Sequence, residues 1–547
     1  MILKTIFLLL LYLPILGAQD SVSREFKITS KYFNIPVSMD EDRSILKILS
    51  NGNILREFAI RISNGVPDYW VFVDMTEFQD QTISLDYPKK ASGIDQIYQA
   101  NTIAGSDSLY KEKNRPQFHF TSKRGWNNDP NGLVYYDNEY HLFYQHNPYE
   151  IHWENMHWGH AVSNDLLHWK ELGEALYPDD MGTIFSGTVV VDSQNTSGFQ
   201  TGKEKPMIAA YTAHSRDNEV QCIAFSNDKG RTWSKYYGNP ILDTKIKWNS
   251  KNLRDPKLFW HRETSKWVMV LFEKNGHSFY TSDDLKSWKF QSHLGGFWEC
   301  PELFELSVDG DPKHTKWVLY GASGTYAIGD FNGKEFSIES GKHQYFSGKM
   351  YAAQTFNNIP KADGRRIQIG WGQISHPGMP FNQMMLFPTE LTLRSGRNGI
   401  RMYSEPIREI SKLHKKSALW SEISLDRLND HLAAITSDLL HLKMKIEIVE
   451  GIRFSLNFRG NEILHYSMNH NTLNGEFYES DQTQERTIYL EILIDKTSLE
   501  VFADHGKFSV IQELDVPTTN AALKLDDSGS KIKIHHFEIH ELQSIWR

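Results

Sequence analysis

Three carboxylates stand where an acid could do chemistry. Asp129 lies in Trp126-Asn127-Asn128-Asp129-Pro130-Asn131-Gly132, where Pro and Gly enforce a tight turn before an apolar, strand-like run. Asp255 lies in Arg254-Asp255-Pro256, again ahead of a strand-like run, and the tripeptide alone also fits a surface ion pair. Glu299 lies in Phe297-Trp298-Glu299-Cys300-Pro301. Apolar company disfavours the charged form of a Glu, which suits a general acid working near neutral pH. Glu302 is its rival; in an extended segment residues 299 and 302 face opposite sides, and the aromatic flank favours Glu299. Two carboxyl groups about 5 Å apart would support a double displacement, whereas roughly 6.5–9.5 Å would leave room for direct attack by water.

Residues so far apart in the chain need a fold that gathers them. Ser163-Asn164-Asp165-Leu166-Leu167-His168-Trp169 is echoed by Ser226-Asn227-Asp228-Lys229-Gly230-Arg231-Thr232-Trp233 and by Ser282-Asp283-Asp284-Leu285-Lys286-Ser287-Trp288. The copies recur after 63 and then 56 residues, each behind a strand-like run. In each, the Asp can bond turn amides while the Trp packs between sheets. A turn repeating at this period predicts radial four-stranded blades around a central channel. From about residue 418 strict alternation takes over, as in Leu442, Met444, Ile446 and Ile448, and predicts a β-sandwich. Short strands separated by Asn, Gly and Pro turns predict a small β domain over residues 19–108.

Composition narrows the classes. A chain of 547 residues is long enough for two or three domains, and 23% charged with 40% hydrophobic residues is a soluble globular balance. A formal charge of −9 argues against a nucleic-acid partner. Lys4, the apolar run 6–16 and the small residues Gly17 and Ala18 predict a signal peptide over residues 1–18, hence export to periplasm or medium. No later stretch is long and apolar enough to integrate into a membrane. Two cysteines, Cys222 and Cys300, make no disulfide framework; both are expected reduced and buried.

These segments closely resemble glycoside hydrolase family 32, the invertase, levanase and inulinase group. The resemblance runs from about Arg115 to the C-terminus. It rests on the three carboxylate motifs with Tyr144-Gln145-His146-Asn147-Pro148, His157-Trp158-Gly159-His160, Phe185-Ser186-Gly187, Met350-Tyr351-Ala352, Gly370-Trp371-Gly372, residues 378–384 and residues 495–502. It implies an all-β chain, with a five-bladed propeller over 112–412 followed by a C-terminal β-sandwich over 418–547. It further implies a retaining β-fructofuranosidase or fructanase, which removes terminal fructosyl units from fructan polysaccharide or fructosyl oligosaccharides. Asp129 would be the nucleophile, Glu299 the acid/base, and Asp255 would hold fructose hydroxyls with Arg254 beside it. Trp126, Asn128, Gln145, Trp153, Phe185, Ser186, Tyr351 and Trp371 match positions that line the fructose pocket. Glu302 stands where the family often has Asp, and the N-terminal β domain is additional to the usual pattern. No cofactor is implied.

Rival readings are distinguishable. The stretch 226–233 fits the sialidase turn Ser-x-Asp-x-Gly-x-x-Trp, but the other two copies lack the Gly and no arginine cluster for a substrate carboxylate is evident. His141, His146, His152, His157 and His160 are dense, yet no spacing matches a zinc helix motif. An endo-acting levanase or inulinase would share every motif. A non-catalytic fructan-binding propeller would keep the aromatic walls and lose a carboxylate, whereas all three are present.

Overall fold

The computed structural model describes residues 21–88, 92–216, 218–477, 486–515 and 522–546. The expected signal segment lies outside them. The chain is all-β and divides into two units after Ser106. In the first, a four-stranded sheet joins Ser21–Lys27, Thr82–Pro88, Ser44–Ser50 and Asn53–Ile60. A three-stranded sheet joins Tyr69–Asp74, Tyr32–Val37 and Tyr98–Ala100. Their alternating apolar residues, among them Phe33, Ile35, Leu46, Ile48 and Leu85, are fully buried.

The second unit begins with a run of antiparallel sheets. Gly125–Tyr136, Glu139–Asn147, His157–Ser163 and Lys170–Leu176 form the first, with Phe381–Asn382 added in parallel beside Gly125–Tyr136. The next two are four-stranded, over residues 183–235 and 253–295. Residues 302–406 make two further groups of strands, joined into one sheet by a single parallel pairing of Val308 with Leu393. The three repeats form matching turns, each joining two neighbouring strands of its own sheet. In each, the Asp carboxylate accepts turn N–H groups, and the Trp indole donates to the carbonyl three residues earlier.

Two more sheets, of seven and five strands, face each other over one apolar core. Leu440–Glu450 shows why: Leu440, Leu442, Met444, Ile446 and Ile448 are buried, and the charged residues between them point away. Phe346–Gly348, from the earlier part of the unit, pairs in parallel with Phe508–Glu513 and becomes the outer strand of the seven-stranded sheet. His119, buried at the start of the unit, lies between Asp495 at 2.8 Å and Glu500 at 2.5 Å. Among the described residues no helix is long and apolar enough to cross a membrane. His414, His441 and His540 bring ligand atoms within 4.8 Å of one another. His414 and His540, however, stack face to face at 3.6 Å and 11°, so their in-plane lone pairs run parallel rather than converging on a point.

Candidate active site

Four strands lose register at the residues singled out from the sequence. Gly125–Tyr136 skips from Asn127 to Pro130 against Glu139–Asn147, so Asn128 and Asp129 bulge opposite Gln145. Thr183–Val191 skips from Ile184 to Gly187 and bulges Phe185 and Ser186. Leu253–His261 skips from Arg254 to Lys257 and bulges Asp255 and Pro256. Met350–Thr355 skips from Tyr351 to Gln354. A bulge takes residues out of the ladder and re-aims their side chains. Pro130 and Pro256 promote it, having no N–H to give the ladder. Gly187 is required sterically: a Cβ there would meet the Ala210 carbonyl oxygen at 2.0 Å. These strands pack side by side, and Pro130, Ser186, Asp255, Cys300 and Ala352 line one small hollow.

Glu299 arrives by a different route from the one expected. Residues 299 and 300 are not extended; both adopt positive φ, +34° and +41°, and the strand begins only at Glu302. The turn still separates the two acids. Glu302 is buried, 2.8 Å from Lys257 Nζ, and accepts a 2.6 Å bond from Thr355. The surroundings of Glu299 are also not apolar. Arg254 Nη1 donates to its Oε1 at 2.8 Å and the Tyr351 hydroxyl to its Oε2 at 2.7 Å, while Trp298 turns outward, 47% exposed.

Cys300 joins the three acids. Its backbone N–H donates to Asp255 Oδ2 at 3.1 Å, and its thiol lies 3.5 Å from Asp255 Oδ2 and 3.7 Å from Asp129 Oδ2. It is free and only partly buried, against the expectation of a buried bystander; Cys222 is free and buried. Asp129 accepts from Ser186 Oγ at 2.6 Å and Asn128 Nδ2 at 3.1 Å. Burial pushes the Asp129 carboxyl above its usual range, and the Glu299 charge adds to this, while the Ser186, Asn128 and Cys300 bonds oppose it. Asp255 is pushed much further up, by burial and by the Glu299 and Asp129 charges, against the pull of Arg254. Crowded carboxylates oppose one another's ionisation, and Asp255 feels both of its neighbours.

The remaining expected residues connect to these acids through their neighbours. Trp126 Nε1 donates to Asn128 Oδ1 at 2.9 Å, and its ring meets Trp371 edge-on, as Tyr351 does from the other side. Trp371 is held by Gln383 at 3.0 Å. Trp153, 48% exposed, stands edge-on to Phe185, whose other contact is a flat stack on His214 at 4.1 Å. Gln145 is buried with its Nε2 unpartnered, facing the Asn128–Asp129 bulge. Sequence reasoning missed Gln383, His214 and Glu219. The first lies within a quoted motif; the other two sit on ordinary strands with nothing local to mark them.

The Glycosyl hydrolases family 32 N-terminal domain profile matches residues 119–406. A levanase of Bacillus subtilis is 38% identical over 494 residues, spanning 81% of this chain and 72% of the relative. An extracellular exo-inulinase of Aspergillus niger is 30% identical, spanning 80% and 96%. Among solved structures, exo-inulinase from Aspergillus awamori superposes with a TM-score of 0.69 at 27% identity, over 80% of this chain and all of that one. Fructofuranosidase from Schwanniomyces occidentalis complexed with fructose gives 0.69 at 25%, over 80% and 99%.

Proposed function

Because the chain belongs to glycosyl hydrolase family 32, we propose that it is a retaining, exo-acting fructanase that removes terminal β-fructosyl units from levan or inulin. The observation that carries this reading is the meeting of Asp129, Asp255 and the Glu299–Cys300 turn through the Cys300 amide and thiol. Five blades then account for the sheets: residues 125–176, 183–235, 253–295, 302–344 and 350–406, followed by the β-sandwich. The unit that ends at Ser106 supports a separate N-terminal β domain over about residues 19–108. Relatives named extracellular support export, in keeping with the leader-like residues 1–18.

In this reading Asp129 attacks the anomeric carbon while Glu299, protonated, gives its proton to the departing oxygen. Glu299, now a carboxylate, then takes a proton from the water that releases fructose from Asp129. Tyr351 and Arg254 hold the two oxygens of Glu299, and Ser186 and Asn128 fix the attacking carboxylate. Asp255, with Arg254 beside it, would hold fructose hydroxyls. Trp126, Trp371 and Phe185 wall the ring, and Gln145 faces the bulge that holds the nucleophile.

The test is fructose release from levan, inulin and sucrose. Asp129→Ala should abolish it; wild-type release by that variant overturns the nucleophile assignment. Glu299→Ala should lose most activity on poor leaving groups and keep more on activated aryl fructosides; equal loss on both overturns the acid/base assignment. Fructose as the sole early product supports exo action, and a ladder of oligosaccharides supports the endo reading.

A further inference from the structure

Arg254 is shared between two carboxylates. One N–H reaches Glu299, whereas Nε and Nη2 meet Glu219 Oε2 and Oε1 at 3.0 and 2.9 Å, and Nη2 also reaches Asn252 at 2.7 Å. Fork-to-fork pairing is the strongest geometry a guanidinium offers a carboxylate, so Arg254 is anchored on Glu219. Glu219 is itself fixed. It is 3% exposed, accepts the Leu253 N–H at 2.8 Å, and receives His214 Nδ1 at 3.2 Å. Burial pushes its carboxyl up, but the His214 bond, Arg254 and the Leu253 amide outweigh this and hold it below the usual range. These partners therefore favour its charged form.

The other charged or titratable groups facing this chain of contacts are Asp129, Asp255 and Cys300 beside Glu299, His277 at its backbone, Tyr351 on its far oxygen, and His214 behind Glu219. Both aspartates already oppose a negative Glu299, and Arg254 is the cation that favours it. Without Glu219, that cation would belong to Glu299 alone. A carboxyl facing an undivided guanidinium gives up its proton too readily to serve as an acid.

We infer that Glu219 is a positioning residue for the reaction: it neutralises and anchors Arg254, so that Glu299 can carry the proton the leaving oxygen needs. The inference rests on the proposed acid/base role of Glu299. Glu219 touches no reacting atom in that scheme and acts only through Arg254.

The experiment is the pH dependence of kcat/KM for sucrose in Glu219→Gln. Loss of the charge should move the alkaline limb of that profile to lower pH by roughly one unit. An activated aryl fructoside, which needs little proton donation, should show much less of this change. A uniform loss at every pH on both substrates, or an unmoved limb, overturns the inference. Should Glu219→Gln fail to fold by circular dichroism, Glu219→Asp carries the test. Its carboxylate, withdrawn by one methylene, weakens the forked pairing, and the limb should move the same way by about 0.3 unit or more; an unmoved limb there also overturns it. Wild-type rates for Glu299→Ala would remove the acid/base reading and this inference with it. Proposed behaviour of Glu299→Ala with an unmoved Glu219 limb sinks this inference alone.

Discussion

As the proposed nucleophile, Asp129 must act as a carboxylate in a place that burial makes hostile to charge. Ser186 and Asn128 make it tenable by donating to its two oxygens, the former at 2.6 Å. Ser186→Ala removes the stronger of these. The carboxyl, already raised by burial and by Glu299, then rises further, and attack requires its ionised form. The acidic limb of kcat/KM should therefore move to higher pH by about one unit; a limb that stays in place would mean Ser186 serves fructose rather than the nucleophile. The acids stood out in the sequence because each lies within two residues of a Pro, with aromatic neighbours around Asp129 and Glu299. Their electrostatics were not. The neighbours Trp298 and Cys300 suggested a dry setting for Glu299, yet its contacts are Arg254, 45 residues back in the chain, and Tyr351, 52 residues on. Long-range partners leave no trace in a local window, and Glu219, on a strand with no motif around it, is the extreme case.

The repeats read from sequence differ in one respect that the strands resolve. Only the second copy has Gly three residues before its Trp, and Gly230 has φ +78°. At the same position Leu166 and Leu285 adopt φ +66° and +62°. A left-handed Leu is strained by about 1–2 kcal/mol, and burial offsets this, since both side chains lie within apolar clusters. Leu285→Gly should relieve about 1 kcal/mol of strain and forfeit about 3 kcal/mol of packing, a net loss of about 2 kcal/mol. A lower midpoint of urea unfolding, followed by tryptophan fluorescence, is the expected result; a rise would show that strain outweighs packing. The existence of the turns was therefore readable from Ser, Asp and Trp, whereas the backbone shape of two of them was hidden behind a residue that rarely adopts it. The register breaks at Asn128–Asp129, Phe185–Ser186 and Asp255–Pro256 were half-visible. Two of the three contain or adjoin a Pro, but a bulge is defined by the partner strand, which one sequence segment cannot name.

Across the second unit, His119 couples the first segment to the hairpin around residues 495–500. Burial lowers its pKa, but Asp495 and Glu500 outweigh that and raise it to about 9. A histidine raised above its ordinary value of about 6.5 contributes fully below that value and loses its contribution as pH climbs through about 9. The thermal midpoint should accordingly fall between pH 7 and 9.5. His119→Gln should start lower and show a flatter decline over the same window; an identical slope would mean the decline originates elsewhere. Residues 495–502 were singled out from the sequence as part of the resemblance, without a hint that they serve the junction rather than the pocket.

The crossing of Phe346–Gly348 into the other module's sheet has a consequence for how such enzymes can be recombined. Because that strand supplies the outer edge beside Phe508–Glu513, a chimera that exchanges everything after residue 412 receives a sheet completed by a foreign segment. Chimeras that transplant residues 346–348 and 119 along with the residues after 412 should express as soluble enzyme more often than those cut at residue 412 alone. Compatibility at that seam, more than the proposed active site, would then limit which segments can be traded.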